Sequence, residues 1–290
     1  MHSINAFLKC ILHFFTPLTI LQGVVLLKIL IISDLHLSEH RPKTTELFKK
    51  FLSSHASKVN ELYILGDFFD YWIGDDYDTP FHDYIVGLLR TITSLDIKVF
   101  IMVGNRDFLL GDDFAKSCGA RIITDPSVII AKKTPYLLMH GDSLCTQEVI
   151  YSIYRKLVRS NFFKNFFLSL PIFIRKFTAL GLRKHSQSKQ YGKKWIDVSK
   201  KAVKKTFNQY NLSHLIHGHT HEFATHEVRY KKRRTLSSFF IKIQKEKIIS
   251  QDIYHPKTRI VLGDWSDKAG SFVFINKEGH AKLHAFSPKN

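Results

Sequence analysis

Five short clusters of metal-ligand residues punctuate this chain in a fixed order. They are Asp34-Leu35-His36, Gly66-Asp67, Gly104-Asn105-Arg106-Asp107, His140-Gly141-Asp142 and His217-Gly218-His219-Thr220-His221. Most follow a short apolar run, at 28–33, 62–65, 99–103, 136–139 and 214–216. Runs of that length and composition read as buried strands. Residues placed just past strand ends collect at one edge of a sheet, where α/β folds put their active sites. The pattern therefore predicts an α/β fold that delivers carboxylates, imidazoles and one amide oxygen to a single point.

The donors are Asp, His and Asn, with no Cys among them. Thiolate sets favour structural zinc or iron–sulfur, whereas imidazole with carboxylate and amide oxygen suits Mn, Fe or catalytic Zn. Seven donors exceed what one ion takes and suit two ions sharing a carboxylate. Two metals roughly 3.5–4 Å apart clamp the attacking and leaving oxygens of a phosphoryl displacement. Arg106, beside Asn105, adds a fork-shaped donor for a phosphate oxygen. Each cluster alone has a plainer reading. Asp-x-His after a strand and Gly-Asp are ordinary turn chemistry, and a lone His140 reads as a hydrogen-bonded histidine. The order of all five, each near a strand end, is what points to one site.

These blocks resemble the calcineurin-like metallophosphoesterases, which carry D-x-H, GD, GN-[HR]-[DE], H and GHxH in this order. The resemblance implies a four-layer α/β/β/α sandwich with a dinuclear centre between the inner sheets. It implies one metal held by Asp34, His36, Asp67 and His221, and a second held by Asp67, Asn105, His140 and His219, with Asp67 bridging. It places Asp67, Asn105, Arg106 and His140 in catalysis, Asp107 as an orienting group and His217 as a structural neighbour. Arg106 stands where most relatives carry His. That exchange resembles the branch of UDP-2,3-diacylglucosamine diphosphatases of lipid A synthesis. So do Trp72-Ile73-Gly74-Asp75-Asp76, Met139-His140-Gly141-Asp142-Ser143-Leu144-Cys145-Thr146 and, with one substitution, Val261-Leu262-Gly263-Asp264-Trp265.

The net charge of +18 is uneven. From 149 to 212, Asp197 is the only acidic residue among fifteen Lys and Arg. Nucleic acid, an anionic membrane surface and an anionic substrate would each suit such a surface. Nucleic-acid surfaces interleave single aromatics with basic residues. Here whole apolar faces, with Phe162, Phe163, Phe166, Phe167, Phe173 and Phe177, alternate with basic ones at helical spacing, as in interfacial helices and acyl-chain pockets. A helical subdomain with a solvated basic face is the plainer alternative. By resemblance, residues of about 147–211 form a helical cap between the fourth and fifth blocks that holds two acyl chains, broken at Leu170-Pro171. Substrate contacts are then expected from Glu148, Ser186, Gln190 and Lys193, besides Asn105, Arg106 and His219. Gln190 stands for the family's Asn, and Glu148 for its Asp.

Residues 10–27 are nearly all apolar, but the first core strand must use 26–32, and Pro17, Gln22 and Gly23 interrupt the rest. That leaves too little to span a bilayer, which takes about 20 apolar residues, and no small-x-small cleavage site is evident. The expectation is an extension at 1–26 that translation skips by starting near 25–27, with a membrane-associating segment as the alternative. The metallophosphoesterase domain is expected over 27–290. A basic insertion at about 230–252, carrying Lys231-Lys232-Arg233-Arg234, interrupts the late strands. Cys10, Cys118 and Cys145 are odd in number and lack zinc-like spacing, which suggests a reducing compartment.

The function expected is hydrolysis of the pyrophosphate of UDP-2,3-diacylglucosamine by a metal-activated water, with two divalent ions that the family makes Mn. The setting is the cytoplasmic face of a bacterial inner membrane. The partners expected are the lipid-linked nucleotide sugar and an anionic membrane surface, with no nucleic acid and no obligate protein partner. Three alternatives stand beside it. A nucleotide phosphodiesterase or phosphatase would have no need of paired apolar helices. A nuclease would show steep salt dependence. A non-catalytic scaffold would have lost donors, and all seven are present.

Overall fold

The computed structural model describes residues 27–146, 155, 157–190, 197–228 and 256–287, and side chains throughout except at 182–190. Strands β1 (Ile29–Ile32), β2 (Glu61–Leu65), β3 (Lys98–Met102) and β4 (Arg121–Ile123) alternate with helices α1 (Pro42–Ser54), α2 (Pro80–Thr93) and α3 (Asp112–Ser117). β5 (Ser127–Ala131) and β6 (Thr134–Met139) follow, then α4 (Asn161–Ser169), α5 (Ile172–Gln190) and α6 (Lys200–Tyr210). β7 (His214–His217), β8 (Ala224–Val228), β9 (Lys257–Val261), β10 (Gly270–Ile275) and β11 (Ala281–Phe286) complete the described fold. The five apolar runs fall on β1, β2, β3, β6 and β7.

The strands form a six-stranded sheet, β11-β10-β1-β2-β3-β4, and a five-stranded sheet, β5-β6-β7-β9-β8. β1 to β4 run parallel in the first, and β6, β7 and β9 run parallel in the second. Side chains alternate across each strand. Ile29 and Ile31 of β1, with Tyr63 and Leu65, pack between the sheets against Tyr136, Leu138, Ile216 and Ile260. Leu30 and Ile32, with Leu62, Ile64 and Ile101, face outward onto Phe48 and Phe51 of α1, Ile85 and Leu89 of α2 and Phe114 of α3. On the far side Leu137, Met139 and Leu215 pack on Val203 and Phe207 of α6. Helix, sheet, sheet and helix thus stack as the four expected layers.

That last contact separates α6 from the rest of the 147–211 segment. It is the outer layer of the second sheet, started by Ser199, whose hydroxyl accepts the Ala202 N–H, and ended by Asn211 in a left-handed conformation. α4 and α5 are the hairpin proper. Leu170 is extended, as a residue before proline must be, and Pro171 parts the two helices where a break was expected. The extension 1–26 and the 230–252 insertion lie outside the described residues. The insertion falls between β8 and β9, which pair antiparallel from Val228↔Lys257 to Ala224↔Val261.

Candidate dinuclear metal centre

The carboxyl ends of β1, β2 and β3 meet those of β6 and β7 across the sandwich. Backbone bonds lock the loops together. Asp34 N–H donates to Gly66 O at 3.1 Å, His36 N–H to Asp67 O at 2.9 Å and Gly218 N–H to His140 O at 2.8 Å. Five of the expected ligands, Asp34, His36, Asp67, His219 and His221, have φ between 49° and 67°. Non-glycine residues rarely adopt the left-handed region, and such outliers cluster at functional sites. The turns allow no added bulk. A Cβ on Gly66 would lie 2.5 Å from His140 Nδ1, and one on Gly218 would collide with Asp34 and Ser33.

Two triads of donors result. Asp34, His36 and His221 form one and Asp67, His140 and His219 the other, with the ligand atoms of each triad within 4.8 Å of one another. Asp34 Oδ2 accepts from Ser33 Oγ at 2.6 Å and from His219 N–H at 2.9 Å, which leaves Oδ1 facing His221 Nε2 at 3.3 Å. The Nε2 atoms of His36 and His221 face each other at 3.5 Å. Asp67 reaches both triads: Oδ2 is 3.9 Å from His36 Nδ1 and Oδ1 is 3.7 Å from His140 Nε2. Asn105 Oδ1 lies 3.0 Å from His140 Nε2. All seven expected ligands therefore converge, with Asp67 lying between the two triads. Asp34, His36, Asp67 and His140 are buried, while Asn105, His219 and His221 are half-buried and open the site to solvent.

The electrostatics fit a cationic guest. Burial drives the Asp67 carboxyl up from its ordinary value, and the nearby Asp107 and Asp34 add to the rise. Burial opposes ionisation of Asp34, but the hydrogen bond and charge of His221 hold its carboxyl far below the usual range. Burial alone would lower His140. The carboxylates of Asp67, Asp142 and Asp34 instead raise it to about 9. Burial, with His140 beside it, lowers His219 to about 3. Crowded buried carboxylates facing imidazole nitrogens, with His36 Nδ1 lacking a hydrogen-bond partner, are what a pair of divalent cations would relieve. The residues fit such a centre.

The supporting shell explains the remaining block residues. Asp107 accepts the N–H groups of Gly104 at 2.6 Å and of Phe68 at 2.7 Å, tying the second and third blocks together. His217 is buried with Nδ1 2.9 Å from Gly218 O, a structural position. Arg106 donates from Nη1 to Asp70 at 3.1 Å and holds Nε 3.7 Å from Asp67. Asp70 escaped the sequence reading, although an acid three residues after Asp67 was its signal. Asp264, 3.8 Å from His221 Nδ1, is the acid of the late Gly-Asp-Trp block. Ser186 and Gln190 lie on α5 with side chains outside the described set, and Glu148 and Lys193 are outside the described residues.

A two-sheet sandwich with carboxylate and imidazole triads at its shared edge defines a dinuclear metal-dependent phosphoesterase. Residues 27–223 match the calcineurin-like phosphoesterase family, and the chain belongs to that family. A UDP-2,3-diacylglucosamine hydrolase of Marinobacter nauticus is 41% identical over 240 residues, 82% of this chain and 89% of that protein. The protein of the same name from Stutzerimonas stutzeri is 37% identical over 87% of this chain and 96% of its own length. The one from Proteus mirabilis is 45% identical over 69% and 84%.

Proposed function

We propose that this protein hydrolyses the pyrophosphate of UDP-2,3-diacylglucosamine to UMP and 2,3-diacylglucosamine 1-phosphate, with Mn as the working metal. The observation that carries the reading is a full donor set beside an apolar hairpin, in a chain whose relatives carry that substrate in their names. Phe162, Phe173 and Phe177 of the hairpin are 83%, 72% and 80% exposed, a large apolar surface for acyl chains to cover. Two bound divalent cations would supply a water acidified toward neutrality and charge neutralisation at the phosphoryl group.

The side chains prepare that chemistry. His140 donates from Nδ1 to Leu65 O at 2.9 Å, which leaves Nε2 as the nitrogen facing the site, where a bound cation would replace the proton that the nearby carboxylates favour. His219, neutral at physiological pH, offers its lone pair without competition from a proton. Arg106 keeps guanidinium donors beyond the one spent on Asp70, which would serve a phosphoryl oxygen next to Asn105. Such a fixed donor stabilises developing charge by about 3 kcal/mol. Glu148, Ser186, Gln190 and Lys193 complete the proposed substrate contacts.

The exposed phenylalanines of α4 and α5, with Lys176 among them and further Lys and Arg in the α5 sequence, support peripheral attachment to an anionic bilayer, at the cytoplasmic face of the inner membrane. No helix among the described residues is long and apolar enough to cross a membrane. The test is Mn-supplemented hydrolysis of the lipid substrate in detergent, with UDP-N-acetylglucosamine as the chain-free control. UMP release from the lipid alone supports the proposal. Equal cleavage of both removes the acyl chains from recognition, and cleavage of neither rejects the substrate.

A further inference from the structure

The Trp72-Ile73-Gly74-Asp75-Asp76 block supplies none of the candidate ligands, yet it is bound on two sides. On the sandwich side, Trp72 N–H donates to Arg106 O at 3.2 Å. Asp75 accepts the Trp72 indole N–H at 2.9 Å and the N–H groups of Gly111 and Phe114 at 3.0 Å each. On the hairpin side, the guanidinium of Arg175, on α5, donates from Nη1 to Ile73 O and to Asp76 Oδ1, both at 2.7 Å, and from Nη2 to Asp76 Oδ2. Arg175 is 2% exposed, although its neighbours Phe173, Lys176 and Phe177 all face solvent. A buried cation with a carbonyl and both oxygens of a carboxylate is a fixed, bidentate joint that Lys cannot reproduce.

Gly74 sits at the centre of the joint with φ of +131°. A Cβ there would lie 2.8 Å from Leu168 Cδ2 of α4 and would also collide with Arg175 Nη1. The loop thus offers bare backbone to both helices of the hairpin. Lys176 adds a second link, its ammonium donating to Tyr77 OH at 2.9 Å. A continuous path runs from α5 through Arg175, Ile73 and Trp72 to the backbone of Arg106, whose side chain stands beside Asp67.

We infer that Arg175 is a positioning residue, which sets the α4–α5 hairpin at a fixed distance from Arg106 so that a substrate held by its acyl chains presents its phosphate to the centre. The inference rests on the substrate proposed above. It separates two substrates: one bound through chains needs the joint, and a small diester does not.

The test compares Arg175→Ala and Arg175→Lys with the wild type on the lipid substrate and on bis(p-nitrophenyl) phosphate, with Mn present. Backbone hydrogen exchange is followed on both variants. Arg175→Ala is expected to lose about tenfold or more in kcat/KM on the lipid, mainly through KM, because a misplaced substrate rather than a missing catalytic group is the defect. Its diester rate should stay within about twofold of wild type. Exchange should quicken over residues 161–181 and stay unchanged over β1 to β3. Arg175→Lys should recover part of the lipid activity. Asp76→Asn, which keeps the Ile73 bond, should shift KM in the same direction by less.

Equal losses on both substrates would make Arg175 a general stability residue and overturn the inference. So would unchanged lipid kinetics, or a lipid-selective loss without faster exchange in the hairpin, which would mark direct substrate contact. If the wild type cleaves the diester and not the lipid, the substrate proposal fails. Exchange over 161–181 then decides the joint alone: faster exchange in Arg175→Ala keeps it, and unchanged exchange removes it.

Discussion

At the scale of single residues, the centre depends on where Asp67 points. Its two oxygens face different triads, so one side chain spans both candidate metal positions. Asp67→Ala should drop activity more than about 100-fold, beyond the 10- to 100-fold typical of outer partners, and lower the bound metal measured by elemental analysis. Normal metal content with most of the activity retained would place the bridge elsewhere. Arg106→Lys keeps the charge and loses the fork, because one ammonium cannot serve Asp70 and the proposed phosphoryl oxygen in two fixed directions. Steady-state kinetics should show kcat down by about 100-fold with KM little changed. The candidate ligands were legible in the sequence because residue type and strand-end placement agree at every one of them. The roles of Asp70 and Asp76 were not. An Asp in a turn is common, and the partner that gives Asp76 its meaning, Arg175, lies 99 residues further along the chain.

At the scale of elements, legibility followed burial. β1, β2 and β3 are parallel and covered on both faces, so each reads as a near-continuous apolar run. β5 is an edge strand whose Val128 and Ile130 are exposed, and its alternation carries a weaker signal. α6 was read as part of the cap because only Val203 and Phe207 bury among its lysines. Its sandwich role needs Leu137 and Leu215 of β6 and β7 as partners. The segment leading into α4 shows how the hairpin begins. Arg155 and Arg159 converge on Asp142 at 2.7 and 3.0 Å and on Asp125 at 3.3 and 3.5 Å, and Arg159 also donates to Gly104 O at 3.1 Å. Charge from His140 and these arginines outweighs burial and keeps the Asp142 carboxyl far below its ordinary range. Arg159→Ala leaves that buried carboxylate with Arg155 alone. A loss of about 1–3 kcal/mol in urea unfolding is expected, less than for a wholly unpaired charge. An unchanged midpoint and slope would show the network to be dispensable.

At the scale of the molecule, the candidate centre is the seam between two sheets, and its donors come from loops of both. His217, at the end of β7, makes that seam sensitive to acid. Burial lowers it to about 4 from an ordinary 6.5. Between those values the unfolded chain binds the proton that the folded one refuses, so stability is lost as pH falls through that window. In metal-free protein the melting temperature of wild type relative to His217→Gln should therefore be lower at about pH 5 than at about pH 7.5, a comparison in which the upward-shifted His140 and Asp67 cancel. A difference between wild type and His217→Gln that does not change with pH would mean that His217 titrates alike in the folded and unfolded chain. Metal removal acts on the same seam with a larger effect. Cations held only by the folded state stabilise it by RT ln(1 + [L]/Kd), about 3–4 kcal/mol at 100 to 1,000 times Kd. For a domain of this size that corresponds to a fall of roughly 10 °C in Tm on chelation. Adding back Mn should restore it in wild type and only in part in Asp67→Ala, which keeps the Asp34, His36 and His221 triad. A melting curve indifferent to chelation in wild-type protein, at metal contents verified before and after, would mean that the two sheets hold together without the ions their facing loops were shaped to share.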